Sequence, residues 1–196
     1  MSEFSEGHGA EYFDELYRGD PDPWAFRTRW YEKRKRDVLL ACLPRPRFRK
    51  GFEPACANGE TSAELAARVD DLLCSDCSAE AVALARHRLA GRENVRTELQ
   101  VLPLEWPAGS FDLIVLSELG YYLSADAWRR VCREAAAALS EDGVLVACHW
   151  RHPIQGCVLS GDDVQGHLAQ AMGARPAVRH LERDFRLELW FAPVAR

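Results

Sequence analysis

The order of elements along the chain predicts an α/β fold, a three-layer αβα sandwich around one seven-stranded, mostly parallel sheet whose last strand runs antiparallel. Two observations predict it. Short apolar runs alternate with helix-forming segments, and one run, Phe111–Ser117, is apolar up to its final serine and broken before it only by Asp112, which suits a central parallel strand buried on both faces. The chain then closes on two strand-like runs, Ala177–Leu181 and Phe185–Phe191, joined by Glu182-Arg183-Asp184 as a tight antiparallel ending.

The elements follow in order. Glu11–Tyr17 reads as a short helix, broken by Gly19-Asp20-Pro21-Asp22-Pro23, and Trp30–Leu43 has helical spacing up to Pro44. A first strand spans Gly51–Glu53, a helix Glu60–Arg68 and a second strand Leu72–Asp76. Ser78 is placed to cap a helix that runs through Leu89, with Gly91 beyond its end. Val95–Leu99 is a third strand, and Gln100–Ser110, with two prolines and Trp106, carries little helix. Ser124 caps a helix over Ala125–Leu139, Glu141-Asp142-Gly143 turns into a strand at Val144–His149, and a helix spans Asp162–Met172. With no repeat, low-complexity tract or second core, residues 1–196 read as one domain, and residues 11–43 as its N-terminal helical lid.

Composition narrows the class. A net charge of −5 argues against general nucleic-acid binding. The ten Lys and Arg residues between Arg27 and Lys50 read as a solvated helix face plus a loop, since no basic and aromatic module surrounds them. No apolar run approaches the roughly 20 residues that span a bilayer, so no membrane partner is expected. The acidic, polar stretch Met1–Ala10 is unlike a signal peptide. Seven cysteines, mostly inside apolar segments, suggest reduced thiols and a cytoplasmic protein. Cys74 and Cys77 form a C-x-x-C without a second pair, so no metal is expected.

Lys50–Ser78 carries the chemistry. Glu53 closes the first strand, Ala55-Cys56-Ala57-Asn58-Gly59 makes a turn with little side-chain bulk, and Asp76 ends the second strand 23 residues after Glu53. In open α/β sheets ligands lie outside the carboxyl ends of strands, where an acid after the second strand holds a ribose. A dinucleotide fingerprint would need further glycines and a pyrophosphate at the helix start. Only Gly59 is present, and Glu60 follows it, a poor neighbour for an anion. A cofactor with an ammonium and a sulfonium, S-adenosylmethionine, suits Glu53 and its surroundings better than NAD. An ordinary strand–turn–helix is the bland alternative.

Beyond this, the chain resembles the S-adenosylmethionine-dependent methyltransferases of the seven-stranded, Rossmann-like (class I) kind, and within them the nodulation-protein-S-like (NodS-like) group. The likeness runs from Tyr12 to Phe191. It rests on G-D-P-D-P-W at Gly19–Trp24, W-Y-E-K-R-K at Trp30–Lys35 and E-P-A-C-A-N-G at Glu53–Gly59. It continues with L-P-L-E-W-P at Leu102–Pro107, F-D-L-I-V-L-S-E at Phe111–Glu118 and H-W-R-H-P at His149–Pro153.

The resemblance implies S-adenosyl-L-methionine as cofactor, with Glu53, Ala55, Asn58 and Gly59 in the turn beside its methionine part. It implies that Asp76 accepts from the ribose hydroxyls, that Cys77 packs on the adenine, and that Val101 and Leu102 border the adenine edge. Ser117 ends the fourth strand. Trp24, Tyr31 and Arg34 belong to the lid, Arg34 as partner of the cofactor carboxylate. Two positions depart from the family, which usually has glycine at Ala55 and an acid at Val101. A lost hydrogen bond costs about 1 kcal/mol, so weakened cofactor binding is expected.

The acceptor groups are expected at the ends of the fourth and fifth strands. His149 and His152, and Glu118, are candidates to orient or deprotonate an acceptor. Arg151, Tyr121 and Tyr122 are candidates to bind it. The resemblance makes nitrogen of an amino sugar or related amine the leading acceptor of a small-molecule methyltransferase. O-methylation of a secondary metabolite and a non-catalytic cofactor-binding protein with a degenerate pocket are the alternatives.

Overall fold

The computed structural model describes residues 8–193, so most of the polar tail expected over Met1–Ala10 lies outside the described residues. Seven strands form one sheet in the order β3-β2-β1-β4-β5-β7-β6. The chain divides into two compact units, residues 9–101 and residues 102–193 with residue 8.

The first unit begins with α1 (Ala10–Gly19) and α2 (Trp30–Cys42). It continues through β1 (Phe48–Pro54), α3 (Glu60–Leu65), β2 (Val69–Asp76), α4 (Ala79–Arg88) and β3 (Val95–Leu99). The three strands are parallel, with Glu53 beside Cys74 and Asp76 beside Leu99, so both acids stand at carboxyl ends. β1 and β2 begin earlier than the sequence suggests, because Phe48 and Val69 are already paired and fully buried. The charged Arg49 and Lys50 that follow Phe48 had read as loop. Helix α3 stops at Leu65 instead of Arg68, and Arg68 donates its guanidinium to the carbonyls of Leu40, Arg45 and Pro46. Ser78 caps α4 as expected, its Oγ accepting from the Ala81 N–H at 3.1 Å.

The second unit holds β4 (Phe111–Ser117), a 3-10 turn at Gly120–Tyr122, α5 (Ala125–Ala137) and β5 (Leu139–Trp150). It ends with α6 (Gly161–Met172), β6 (Val178–Leu181) and β7 (Phe185–Phe191). Leu113 to Leu116 have no exposed surface, as a central parallel strand requires. β4 pairs parallel to β5, whereas β7 runs antiparallel to both β5 and β6, the expected reversal. β5 starts five residues early through a register shift opposite Phe111–Leu113, which takes in the Glu141-Asp142-Gly143 turn. Ser124 caps α5, and Ser160 with Asp163 forms a capping box on α6. Among the described residues no helix is long and apolar enough to cross a membrane.

Candidate active site

In the first unit the carboxyl ends of β1 and β2 bury two acids. Asp76 accepts from the Ala57 N–H at 2.9 Å through one oxygen and from the Ser78 N–H at 3.0 Å through the other. Burial, more than any neighbouring charge, pushes its carboxyl up. Glu53 accepts from the Ser62 hydroxyl at 2.6 Å, and the Cys74 thiol lies 3.8 Å away. Its burial pushes the carboxyl up to about 7. Desolvation also raises the thiols of Cys56, Cys74 and Cys77, the last to about 12, so none is an activated nucleophile.

The turn between these acids is tight. Ala55 and Ala57 lie at φ +56° and +53°, in the left-handed region, and Gly59 at +80°. That region costs a residue with a Cβ on the order of 1 kcal/mol or more, so the turn holds its shape at some strain. Gly59 is required twice over, since a Cβ there would also sit 3.1 Å from the Ala85 Cα of α4. Asn58 is wholly buried and donates to Asp22 Oδ1 at 2.9 Å and to the Pro21 carbonyl at 3.3 Å. Its own Oδ1 is buried with no hydrogen-bond partner among the described residues.

Glu60 corrects an expectation. Its carboxylate does not stand open at the helix start but is held by Arg27 at 2.9 Å and Arg88 at 2.8 Å. The charge that was to repel a pyrophosphate is therefore neutralised, and the preference for a cationic cofactor rests on Glu53 and the turn instead.

The expected lid residues lie on α2 and the loop before it. Trp24 meets Tyr17 edge-on at 5.8 Å and leans on Phe26 at 5.6 Å. Tyr31 lies under the Lys35 ammonium, and Arg34 is half-buried one residue before it. Sequence reasoning missed what ties this segment down. Asp14 of α1 accepts from the Ser78 hydroxyl at 2.6 Å, and Asp22 gathers the N–H groups of Phe26 and Arg27 besides the Asn58 amide. Their only signal was an acid in a Gly/Pro loop and another in a helix, which is too common to single out. Val101 is exposed after β3, and Cys77 is half-buried beside Asp76.

In the second unit Leu102 and Ser117 are half-buried. Glu118 follows β4 at φ +55° and accepts from the Tyr121 hydroxyl and, at 3.2 Å, from the Trp150 N–H. Tyr121 is buried edge-on to Tyr122 at 4.9 Å and to His149 at 5.7 Å. The structure thus brings together Glu118, Tyr121, Tyr122 and His149. His149 has no exposed surface, with Gln165 Nε2 3.2 Å from its Nδ1 and the Gly120 N–H 3.5 Å from its Nε2.

Arg151 points elsewhere. Its guanidinium binds Asp162 at 3.1 Å and the Glu182 carbonyl at 2.8 Å, which also holds the Asp162 carboxyl below its ordinary range. His152 is partly exposed and meets Asp184 Oδ1 at 2.8 Å.

Known proteins are similar to this chain over most of its length. The methyltransferase domain family matches residues 52–143. A solved candidate methyltransferase from Pseudomonas syringae is 51% identical, with a TM-score of 0.74, and the match covers 83% of this chain and 99% of that one. The N-methyltransferase NodS from Bradyrhizobium japonicum WM9, solved with S-adenosyl-L-homocysteine, has a TM-score of 0.84 at 23% identity. That match covers 94% of this chain and 98% of NodS. DhpI, solved as a complex with SAH, has a TM-score of 0.76 at 16% identity, covering 95% and 96% of the two chains. The last two are likenesses of fold. No curated protein matches the chain in sequence.

Proposed function

Because the chain belongs to the S-adenosylmethionine-dependent methyltransferases of the seven-stranded kind, we propose that it methylates a small-molecule acceptor, with nitrogen of an amino sugar or related amine as the leading target. S-adenosyl-L-methionine is its cofactor. The observation that carries the reading is the pair of buried acids at the carboxyl ends of β1 and β2, bridged by a turn of nearly bare backbone. Nitrogen is favoured by the fold shared with NodS, an N-methyltransferase. Seven free thiols support a cytoplasmic setting.

The residues of the first unit fit this cofactor. The Asp76 carboxylate keeps acceptor capacity beyond its backbone bonds, which a ribose hydroxyl can use. Glu53 faces the cationic methionine end with Ala55 and Gly59, and Asn58 Oδ1 is an acceptor that an N–H donor would satisfy. Cys77 and Val101 are assigned to the adenine, and Trp24, Tyr31 and Arg34 to the cover, with Arg34 on the carboxylate.

Bound S-adenosylmethionine supplies a methyl on a sulfonium, so that the C–S bond breaks as the new bond to the acceptor forms and a thioether departs. The protein must hold the acceptor about 3 Å from that carbon and in line with the sulfur. Tyr121 and Tyr122 are assigned to the acceptor wall and Glu118 to orienting an amine. A methylated amine becomes cationic and must shed a proton, which we assign to a ring nitrogen of His152. His149, wholly buried, acts on the acceptor through Tyr121, and Arg151 through the loop it braces.

Transfer to oxygen is a second reading, favoured by the His152–Asp184 pair, because a hydroxyl must lose its proton as it attacks. Calorimetric titration with S-adenosylmethionine, with Asp76→Ala as control, tests the cofactor half. A panel of amino sugars and matched hydroxy sugars with methyl-labelled cofactor tests the other. Micromolar binding that Asp76→Ala weakens, and label on amines only, is the expected result. No binding at millimolar cofactor, or binding with no label on any acceptor, overturns the reading.

A further inference from the structure

The turn Glu182-Arg183-Asp184 reads from sequence as nothing more than the end of a hairpin. In the structure it touches the loop after β5 at three points. Asp184 Oδ1 is 2.8 Å from His152 Nε2, the Asp184 carbonyl accepts from the Arg151 N–H at 2.9 Å, and the Arg151 guanidinium reaches the Glu182 carbonyl at 2.8 Å. The turn itself is closed by the Glu182 N–H on the Phe185 carbonyl at 2.9 Å. On the other side the His152 ring leans on Trp150, with centroids 4.8 Å apart. The ring is therefore fixed in place by a carboxylate and by an aromatic face, although it is partly exposed.

The chemistry of that contact sets the tautomer. A carboxylate has only acceptors to offer, so in the neutral imidazole the proton sits on Nε2 and Nδ1 carries the bare lone pair. Arg151, the nearest cation along the chain, is occupied by Asp162 and the Glu182 carbonyl and does not compete for Asp184.

We propose that Asp184 is a positioning residue for methyl transfer: it holds His152 as the Nε2–H tautomer and so presents Nδ1 as the proton acceptor. This rests on the reading of His152 given above. In the step it serves, the acceptor's lone pair forms the bond to the methyl carbon and the C–S electrons return to sulfur. The proton shed by the acceptor nitrogen, or by its hydroxyl, passes to Nδ1, leaving an imidazolium bonded to Asp184 that gives its proton to water.

Two readouts separate the parts of this proposal. Long-range proton–nitrogen correlation spectra of the full chain, with histidine labelled by nitrogen-15, report the His152 tautomer without any acceptor. The wild type is expected to show Nε2–H in at least nine molecules in ten, and Asp184→Asn a mixture, with Asp184→Glu recovering most of the wild-type pattern. Turnover is then followed with glucosamine, or with whichever amine or alcohol of the panel takes label. Asp184→Asn is expected to lower kcat about tenfold with KM for S-adenosylmethionine unchanged, and His152→Gln at least as much. An Nδ1–H tautomer in the wild type, or one that Asp184→Asn leaves unchanged, overturns the positioning role. A normal tautomer with His152→Gln at full activity overturns the proton-acceptor reading and leaves the contact as a structural one.

Discussion

Asn58, at the centre of the turn after β1, donates its side-chain amide to Asp22 Oδ1 at 2.9 Å, across 36 residues of chain. The loop between α1 and α2 is thereby fastened to the turn assigned to the cofactor. Asp22 Oδ1 also accepts from the Phe26 N–H at 2.8 Å, so one oxygen organises both the loop and its attachment. Asn58→Ala should free this loop while sparing the sheet. Limited proteolysis at Arg27 and Arg29 should become several-fold faster, and cofactor affinity should fall by about tenfold, equivalent to about 1.4 kcal/mol. Unchanged cleavage would mean that the loop is held without Asn58, by its aromatic contacts and the Arg27–Glu60 pair.

Glu53 makes the affinity pH-dependent. Its carboxyl is pushed up to about 7 by burial, from an ordinary value of 4.5. A cationic ligand beside it favours the ionised form, so binding should tighten by about tenfold between pH 6 and pH 8 and then level off. Glu53→Gln should flatten that dependence.

The same burial acts on stability with a definite sign. The folded state holds the Glu53 proton more tightly than the unfolded chain. Below about pH 4.5 both states are protonated and nothing is lost; as pH rises towards 7, stability falls by up to about 3 kcal/mol and stays down. Glu53→Gln should therefore melt higher than the wild type at pH 8 and close to it at pH 4.5. Equal melting temperatures at pH 8 would show that Glu53 ionises freely in the folded protein.

Asp76→Asn tests the second acid. An amide cannot accept through its nitrogen, so either the Ala57 or the Ser78 N–H loses its partner, at about 1–3 kcal/mol. Urea unfolding should show that loss without cofactor, and calorimetry a further drop in affinity of at least tenfold. A stability loss without an affinity loss would confine Asp76 to shaping the turn.

Gly161 opens α6 with its Cα against β5: a Cβ there would lie 1.9 Å from the Trp150 carbonyl oxygen. Backbone cannot yield as a side-chain tip can, so Gly161→Ala should push the helix away and cost several kcal/mol. Because α6 carries Asp162, the brace of Arg151, methyl transfer should fall with it. Full stability in Gly161→Ala would mean that α6 slides without penalty.

Local rules carried much of this structure into view. β4 and β7 begin and end where their apolar patterns do, and Ser78 and Ser124 cap the helices they precede. These features depend on neighbours a few residues away. The shortfall has a physical pattern. Phe48 and Val69 extend their strands because each has a strand partner, which Arg49 and Lys50 in one strand and Asp70 and Asp71 in the other conceal from any local reading. Glu60 reads as an open charge until Arg27 and Arg88 are seen beside it, from 33 and 28 residues away. Asp14, Asp22, Gln165 and Asp184 take their meaning from partners 16 to 64 residues distant, and no spacing rule records them.

The thiols of Cys56 and Cys74 lie under the same strand ends as Glu53 and Asp76, buried and with their ionisation suppressed. An alkylating reagent attacks the thiolate and must reach it, so in the closed protein both sulfurs are doubly protected. Each modification event would then record one opening that exposes this end of β1 and β2. The protein thus contains, beside its two acids, an internal clock for how often that end of the sheet breathes.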